Sequence, residues 1–233
     1  ISKGIKSGGF NTPLAPPESF SSMPYGGESL IAYEVGFKLD RDKSRINGSI
    51  FHYAYDDYQA MQFDAFVPLI FNAGADISGF EFDIVSNPSE GVDLVLGISY
   101  LDAEITDLPV DTYPGGSSKS VVSPDLSINA IARKSWLRKT GGMVTAQVDM
   151  SYKDDQVFNI VVSPLVEEDS YAVFNTRLTY VSPNEKYETS VFIKNLSDQK
   201  YRRYAFDTSA YFGATEDVWG EPRWAGINLI VKF

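Results

Sequence analysis

Hydrophobic and polar residues alternate along most of this chain with a period of two. Such alternation is typical of a β-strand that has one apolar face and one polar face. The clearest example covers residues 143–153, where one face carries Val144, Ala146, Val148, Met150 and Tyr152 and the other carries Thr145, Gln147, Asp149, Ser151 and Lys153. Helical periodicity is scarce, so the pattern predicts an all-β fold.

The alternation predicts about ten strands. Their approximate ranges are 1–5, 28–39, 45–60, 74–86, 91–105, 122–135, 141–153, 170–182, 186–196 and 223–233. Most of these strands are longer than the five or six residues that are usual in water-soluble proteins. Their lengths instead match a tilted strand that crosses a bilayer, which needs about 9–11 residues.

Short and long connections alternate between these strands. The short links are 39–44, 86–91, 136–140 and 182–185, and the long links are 6–27, 61–74, 106–121, 154–169 and 196–223. Outer-membrane barrels have short periplasmic turns and long extracellular loops, and here every short link lies on the side of the C-terminus. The rhythm predicts part of an antiparallel transmembrane β-barrel with a periplasmic C-terminus. The alternative is a soluble, lectin-like β-sandwich, whose apolar faces pack against each other.

Composition limits the chemistry that the chain can perform. The formal net charge of −11 argues against a nucleic-acid partner, since phosphate binding needs a basic face. Cysteine is absent and His52 is the only histidine, so a thiolate site or a His-rich metal site cannot form. A Ser–His–acid triad would depend on His52 alone. The sequence therefore predicts no enzyme, no cofactor and no metal site.

Several short segments, each weak by itself, occur in a characteristic order. They are SKGIKSGGFN at 2–11, YEVGFK at 33–38, INGSIFHYAYDDYQ at 46–59, NAGADISGFE at 72–81, FIKNLSD at 192–198, GEPRWAG at 220–226 and the terminal Phe233. Together they resemble the TonB-dependent receptor family over essentially the whole chain. The chain would align with the C-terminal half of that family's barrel.

The resemblance implies that residues 1–233 form about the last ten strands of a barrel of about 22 strands, whose lumen holds a plug. The plug, the TonB-contacting segment and the first strands would lie outside this chain. The implied function is active uptake of a scarce nutrient across the outer membrane of a Gram-negative bacterium, with a ferric siderophore or another iron complex as the leading ligand. A cobalamin or carbohydrate receptor of the same family is one alternative, and a passive porin or adhesin barrel is another.

The longest link, 196–223, is the candidate ligand site because loops on a rigid scaffold commonly bind ligands. Cations beside aromatic rings can hold a planar or chelate-type ligand through charge and stacking. The candidate residues are Arg202, Arg203, Tyr204, Phe206, Tyr211 and Phe212. Alternatively, residues 201–204 simply extend the strand hairpin above the membrane. The implied partners are the TonB complex, the small-molecule ligand, and outer-membrane lipid and lipopolysaccharide.

Three further features have structural interpretations. The aromatic residues near strand ends predict an interfacial girdle; they are Phe51, Tyr53, Tyr55, Tyr58, Tyr100, Trp136, Tyr152, Tyr171, Tyr180, Tyr187 and Trp224. Gly36, Gly79 and Gly226 lie inside strands, where they predict bends or close approach of the backbone. The acidic loop 154–169 is expected to be solvated, to be bridged by cations to lipopolysaccharide, or to give a mild preference for non-anionic ligands.

Overall fold

Long antiparallel strands, each hydrogen-bonded to its neighbours, make up most of the computed structural model of this protein. The structure describes residues 1–11, 24–64, 67–108, 115–161 and 163–233. The strands are, in chain order, β1 (Ser2–Lys6), β2 (Gly9–Phe10), β3 (Pro24–Tyr25), β4 (Glu28–Arg41), β5 (Ser44–Asp64), β6 (Val67–Ser86), β7 (Val92–Thr106), β8 (Ser118–Lys119), β9 (Leu126–Leu137), β10 (Met143–Lys153), β11 (Gln156–Val157), β12 (Glu167–Glu168), β13 (Tyr171–Val181), β14 (Tyr187–Lys194), β15 (Arg202–Asp207), β16 (Thr215–Trp219) and β17 (Trp224–Val231). A 3₁₀ helix covers Pro164–Val166, and a short helix, α1, covers Ser209–Phe212.

Ten of these strands form one sheet in the order β1-β4-β5-β6-β7-β9-β10-β13-β14-β17, and β8 adds to it beside β7. The other strands form two-stranded ribbons, namely β2 with β3, β11 with β12, and β15 with β16. This arrangement confirms the predicted all-β, antiparallel fold. No helix in the described ranges is both long enough and apolar enough to span a membrane.

The two ends of the sheet differ in the length of their connections. Tight turns join β4 to β5, β6 to β7, β9 to β10 and β13 to β14, all at the end where the C-terminal residues follow β17. The short ribbons lie at the opposite end, within the links that the sequence predicts to be long. We call these the turn end and the loop end. The predicted separation of short and long links is confirmed in the described residues, with the exception of the link between β5 and β6.

One predicted link is wrong. Residues 61–74 were expected to be a loop, but strands β5 and β6 continue through most of this range and pair as far as Asp64 with Val67. The extension is held from the side by Asn11, whose side-chain amide donates to the carbonyl of Ile70 at 2.8 Å and accepts from its N–H at 2.7 Å. Because these partners are distant in sequence, local turn signals do not reveal the longer hairpin.

Strand register separates the sheet into two faces of opposite character. One row of paired residues contains Val35, Ile50, Phe80 and Tyr100, and the adjacent row contains Gly36, Ser49, Glu81 and Ser99. We call these the apolar face and the polar face. On β10 they carry Val144, Ala146, Val148 and Met150, and Thr145, Gln147 and Asp149, respectively, as predicted.

Large side chains of the apolar face are not covered by other parts of the described structure. Ile227 is 76% exposed, and large apolar side chains such as Val35, Phe37 and Leu229 are also exposed. A soluble sandwich would bury these side chains under a second sheet. An apolar outer surface with a polar inner surface is the arrangement of a barrel wall in lipid.

The predicted aromatic girdle is only partly correct. Register places Phe51, Tyr53, Tyr55, Tyr171 and Trp224 on the polar face. The residues that remain on the apolar face form a band near each end, with Tyr100 and Tyr152 toward the loop end and Trp136, Tyr180 and Tyr187 at the turn end. A position near a strand end predicts only that a ring lies near the membrane–water interface. The strand register decides which face of the sheet the ring occupies.

Glycines inside the strands allow close approach, as the sequence predicts. A Cβ on Gly79 would overlap the carbonyl oxygen of Tyr100 and lie 2.7 Å from Phe51 Cζ. A Cβ on Gly226 would lie 2.6 Å from Phe192 Cζ. In both places an aromatic ring covers the backbone of a cross-strand glycine, which is a recurrent way of supporting glycine in a sheet.

We therefore expect Gly79→Ala to lower the free energy of unfolding by about 1–3 kcal/mol, because the added methyl overpacks the strand against a backbone atom. The matched control is Gly97→Ala on the neighbouring strand. Its Cβ would meet only Asp83 Oδ1, at 3.2 Å, which belongs to a flexible side chain. Urea titration in detergent micelles measures both variants, and equal losses would contradict the close-approach explanation.

Candidate functional site

At the loop end, the long loops fold across the polar face and pack on it. Ile160, in the loop of residues 154–170, is only 1% exposed. It packs in a cluster with Ala60, Ala73, Ile105 and Leu108. Ala73 and Ile105 belong to polar-face rows, so this cluster lies on the inner side of the sheet.

Two hydrogen bonds hold the 154–170 loop against the link between β7 and β9. The Ser118 hydroxyl donates to the carbonyl of Ile160 at 2.7 Å, in a buried position. The N–H of Val122 donates to the carbonyl of Val157 at 2.9 Å. Buried bonds of this kind are costly to break because their groups then lack partners. The loop is thereby fixed over the tips of β5, β6 and β7.

A bulge in β5 determines which side chains reach this region. The pairing moves from Tyr55–Ala75 to Tyr58–Ala73, which inserts one extra residue into β5. Asp57 within the bulge has a positive φ of 55°, and its carbonyl accepts a bond from the Asn72 side chain at 2.7 Å. The extra residue re-aims the strand. As a result Tyr58 shares the polar face with Tyr55, and their rings meet edge-on at 5.3 Å.

Arg202 connects the 154–170 loop to a second element, the loop hairpin formed by β15, α1 and β16. Its Nε donates to Glu168 Oε2 at 2.8 Å, and its Nη1 donates to the carbonyl of Leu165 at 2.8 Å. Nη1 also lies 3.5 Å from Asp217 Oδ1, and Nη2 donates to the carbonyl of Glu167. The side chains of Arg202 and Glu168 are 17% and 11% exposed, so this is a largely buried ion pair.

The junction also has a small apolar core. Phe158 and Val166 from the 154–170 loop and Ala205 from the loop hairpin form a buried cluster. The rings of Phe158 and Tyr204 lie 5.9 Å apart. The two loops therefore form one packed unit.

A cavity of about 280 Å³ lies between this packed unit and the β5–β7 tips. Its lining residues come from five separate segments of the chain: Tyr58, Gln59, Ala60, Met61, Ile105, Ser120, Val121, Phe158, Asn159, Ile160, Tyr204 and Phe206. None of these described lining residues is charged. Four aromatic rings and a few hydrogen-bonding groups around an apolar concavity are typical of a small-molecule site.

Electrostatics around the cavity reflect its burial and its neighbours. Burial, with a further contribution from the nearby Glu28 carboxylate, raises the pKa of the Tyr58 phenol. Tyr58 therefore remains a neutral hydrogen-bonding group at neutral pH. Burial alone would lower the pKa of Lys119, but its bonds with Asp155 and Asp125 outweigh this and raise the pKa. The hydroxyl and N–H of Ser209 bond to Asp207 and lower the pKa of that carboxyl.

The six residues predicted to bind ligand have different positions. Tyr204 and Phe206 line the cavity. The guanidinium of Arg202 is hydrogen-bonded to carboxylate and carbonyl groups of the protein, whereas Arg203 beside it is exposed. Tyr211 and Phe212 are exposed on α1 and are not among the residues that line the cavity. As the alternative interpretation expected, Arg202–Asp207 forms a hairpin strand, although it belongs to a separate ribbon.

The sequence did not predict that residues outside the 196–223 link line the cavity. It assigned Tyr58 to the girdle and treated the 154–170 loop only as an acidic segment. The sequence of that loop does contain an indication, namely the apolar residues Val157, Phe158 and Ile160–Val161. An apolar run within a long link indicates that the link packs against another part of the protein. The acidic residues of the loop are partly paired: Asp155 with Lys119 at 3.3 Å, and Glu168 with Arg202.

Comparison with known proteins identifies the class to which this sheet and its loops belong. Residues 6–196 match the family described as TonB dependent receptor-like, beta-barrel. The chain therefore belongs to the TonB-dependent receptor family, whose members are outer-membrane transporters without enzymatic activity.

Solved structures of low sequence identity share the fold. The ferric yersiniabactin uptake receptor FyuA from Yersinia pestis matches with a TM-score of 0.80 and 19% identity, over 100% of this chain and 34% of that one. BauA, the ferric preacinetobactin receptor from Acinetobacter baumannii, matches with a TM-score of 0.69 and 18% identity, over 97% and 32%. The copper transporter OprC matches with a TM-score of 0.65 and 15% identity, over 88% and 31%. The chain thus spans about a third of the length of these structures.

Proposed function

We propose that these 233 residues are the C-terminal portion of a receptor that actively imports a scarce nutrient across the outer membrane of a Gram-negative bacterium. The observation that carries this proposal is the packing of the long loops onto the polar face, which forms a cavity without charged lining residues on the inner side of the sheet. In this proposal the loop end is extracellular. The turn end, with the C-terminus, is periplasmic.

The edges of the sheet support the existence of further strands. In the described sheet β1 pairs only with β4, and β17 pairs only with β14. Unpaired strand edges are very unfavourable in lipid, where no water can satisfy their N–H and C=O groups. We infer that additional strands complete a barrel of about 22 strands, which is a size whose lumen is plugged. The plug and the segment that contacts the TonB complex belong to that remainder.

An iron complex is the leading ligand. FyuA and BauA are named for ferric siderophores, whereas OprC is named for copper, so the shared fold does not specify the cargo. A passive porin would need an open mouth, and the packed loops argue against one. Lipopolysaccharide is the expected partner of the outer rim, where the apolar face ends in the acidic residues Asp76, Asp102 and Glu104.

The decisive test is uptake by cells that express the complete receptor, using radiolabelled ferric complexes under iron starvation. We expect uptake to require TonB, while binding at the cell surface persists without it. Deleting residues 207–217, which removes α1 and half of the loop hairpin, should abolish uptake while the barrel stays in the membrane. Uptake that continues without TonB would assign the protein to the passive porins. Uptake that survives the deletion would exclude a role for the hairpin.

A further inference from the structure

Aromatic rings continue from the cavity along the polar face of β5. Tyr58 lines the cavity, and register places Tyr55, Tyr53 and Phe51 on the same face in successive rows. The ring centroids of Phe51 and Tyr53 lie 4.9 Å apart in a stacked arrangement. Each of these rings is only half-buried, so part of its surface is open to the lumen side. We call these four residues the aromatic run.

Small or aliphatic residues stand opposite the aromatic run on β6. Ala73, Ala75 and Ile77 pair with Tyr58, Tyr55 and Tyr53. Side chains of this size do not cover a neighbouring ring. The run therefore forms a strip of rings that begins inside the cavity and descends toward the middle of the sheet, and on its other side it is bordered by Glu34 of β4, which pairs with Phe51.

Two cations beside the cavity are already paired. Lys119 lies 3.4 Å from Asp125 and 3.3 Å from Asp155. Arg202 is bonded to Glu168 and lies beside Asp217. An anionic group that entered the cavity would lose its hydration without gaining a counter-charge, which is a large penalty. A cationic group would also meet no charge in the described lining, because the nearby Glu28 carboxylate stands outside it and already accepts from the N–H of Gln59 at 2.8 Å. An uncharged ring would lose little and would gain stacking contacts.

We propose that the cavity and the aromatic run bind an uncharged, ring-bearing group of the transported molecule. This inference rests on the proposed function only in assuming that the bound molecule is transported. Binding itself requires neither TonB nor energy. A cavity of about 280 Å³ accommodates a single ring with a small polar substituent. The charged part of a larger ligand, including a metal centre, must then lie outside the cavity.

The test uses three small probes that share one ring and differ in charge: benzamide, benzoate and benzamidine. Binding to the complete receptor in detergent micelles is followed by saturation-transfer NMR at neutral pH. We expect benzamide to bind at least about tenfold more tightly than benzoate, which would bury an unpaired charge. It should also bind more tightly than benzamidine, because Glu28 lies outside the lining. Methyl glucoside, an uncharged ring without a π system, distinguishes a site for sugars from a site for aromatic rings.

Two variants locate the binding site. Tyr204→Ala should weaken benzamide binding by about fivefold or more, since it removes one stacking partner. Tyr211→Ala, on the same loop hairpin but outside the cavity lining, is the matched control and should have no effect. Equal binding of all three probes, or equal losses in the two variants, would overturn the proposal.

A third variant changes the preference rather than removing binding. Ser120 lines the cavity with a small polar side chain. Ser120→Asp should favour benzamidine over benzamide by about tenfold, because the new carboxylate supplies the missing counter-charge. A folded Ser120→Asp receptor with unchanged preference would refute the location of the site. If uptake requires TonB but no probe binds, the inference fails while the proposed function stands.

Discussion

Replacing Arg202 with methionine should release the 154–170 loop from the loop hairpin and cost this region about 3 kcal/mol of stability. Methionine preserves the apolar stem of the side chain but removes all of its donors. Glu168 and Asp217, whose side chains are 11% and 25% exposed, would keep their negative charges without a partner. The carbonyls of Leu165 and Glu167 would also lose a bond. Removing one member of a buried ion pair is more harmful than removing both.

Amide hydrogen exchange measures this effect locally. We expect faster exchange in residues 156–168 and 202–219 and little change in β9 and β10. Arg203→Met is the matched control because Arg203 is adjacent but exposed. The double variant Arg202→Met with Glu168→Gln should recover part of the loss. Protection that is unchanged in Arg202→Met would mean that the apolar core around Phe158 holds the loops together alone.

Val148→Arg should destabilise the barrel by about 2–4 kcal/mol, the cost of placing arginine on a lipid-facing surface near the bilayer midplane. Val148 is the central residue of β10, lies in an apolar row between Ala132 and Thr176, and is 49% exposed. Position 148 is far from both ends of β10, so the guanidinium of an arginine there could not easily reach water.

The control is Asn129→Arg on the neighbouring strand. Asn129 is exposed on the polar face between Gly97 and Ser151, where a long cationic side chain has room and meets no lipid. We expect the control to cost less than about 1 kcal/mol, as surface substitutions usually do. Urea titration of receptor refolded into bilayers provides both values. Similar losses in the two variants would show that the two faces are assigned wrongly.

The loop packing and the barrel wall differ in how far the sequence predicts them. The wall follows from local alternation, because a period of two residues requires only that one face be apolar. The ten main strands were predicted for this reason, as was the separation of short from long links except at the β5–β6 link. The loops follow from contacts between distant residues, such as Ser118 with Ile160 and Arg202 with Glu168. No local pattern encodes such contacts.

The bulge at Asp56–Asp57 shows how one residue changes the candidate site. Counting by twos along an unbroken strand places Tyr58 on the face opposite Tyr55, toward lipid. The extra residue returns Tyr58 to the polar face, where it lines the cavity. A β-bulge depends on the partner strand as well as on its own sequence, and here the Asn72 side chain holds it.

The sequence by itself determined the class of fold, the topology and the family, because alternation, link lengths and the order of short motifs are properties of the chain alone. It also indicated that the longest link carries cavity residues, and Tyr204 and Phe206 are two of them. Only the tertiary structure decided that Arg202 is a structural connection and that Tyr58 faces inward. It also decided that five segments line one cavity without charged residues. The physical reason is that alternation along a strand is local, whereas the partner of a buried charge and the register of a bulged strand depend on residues far away in sequence.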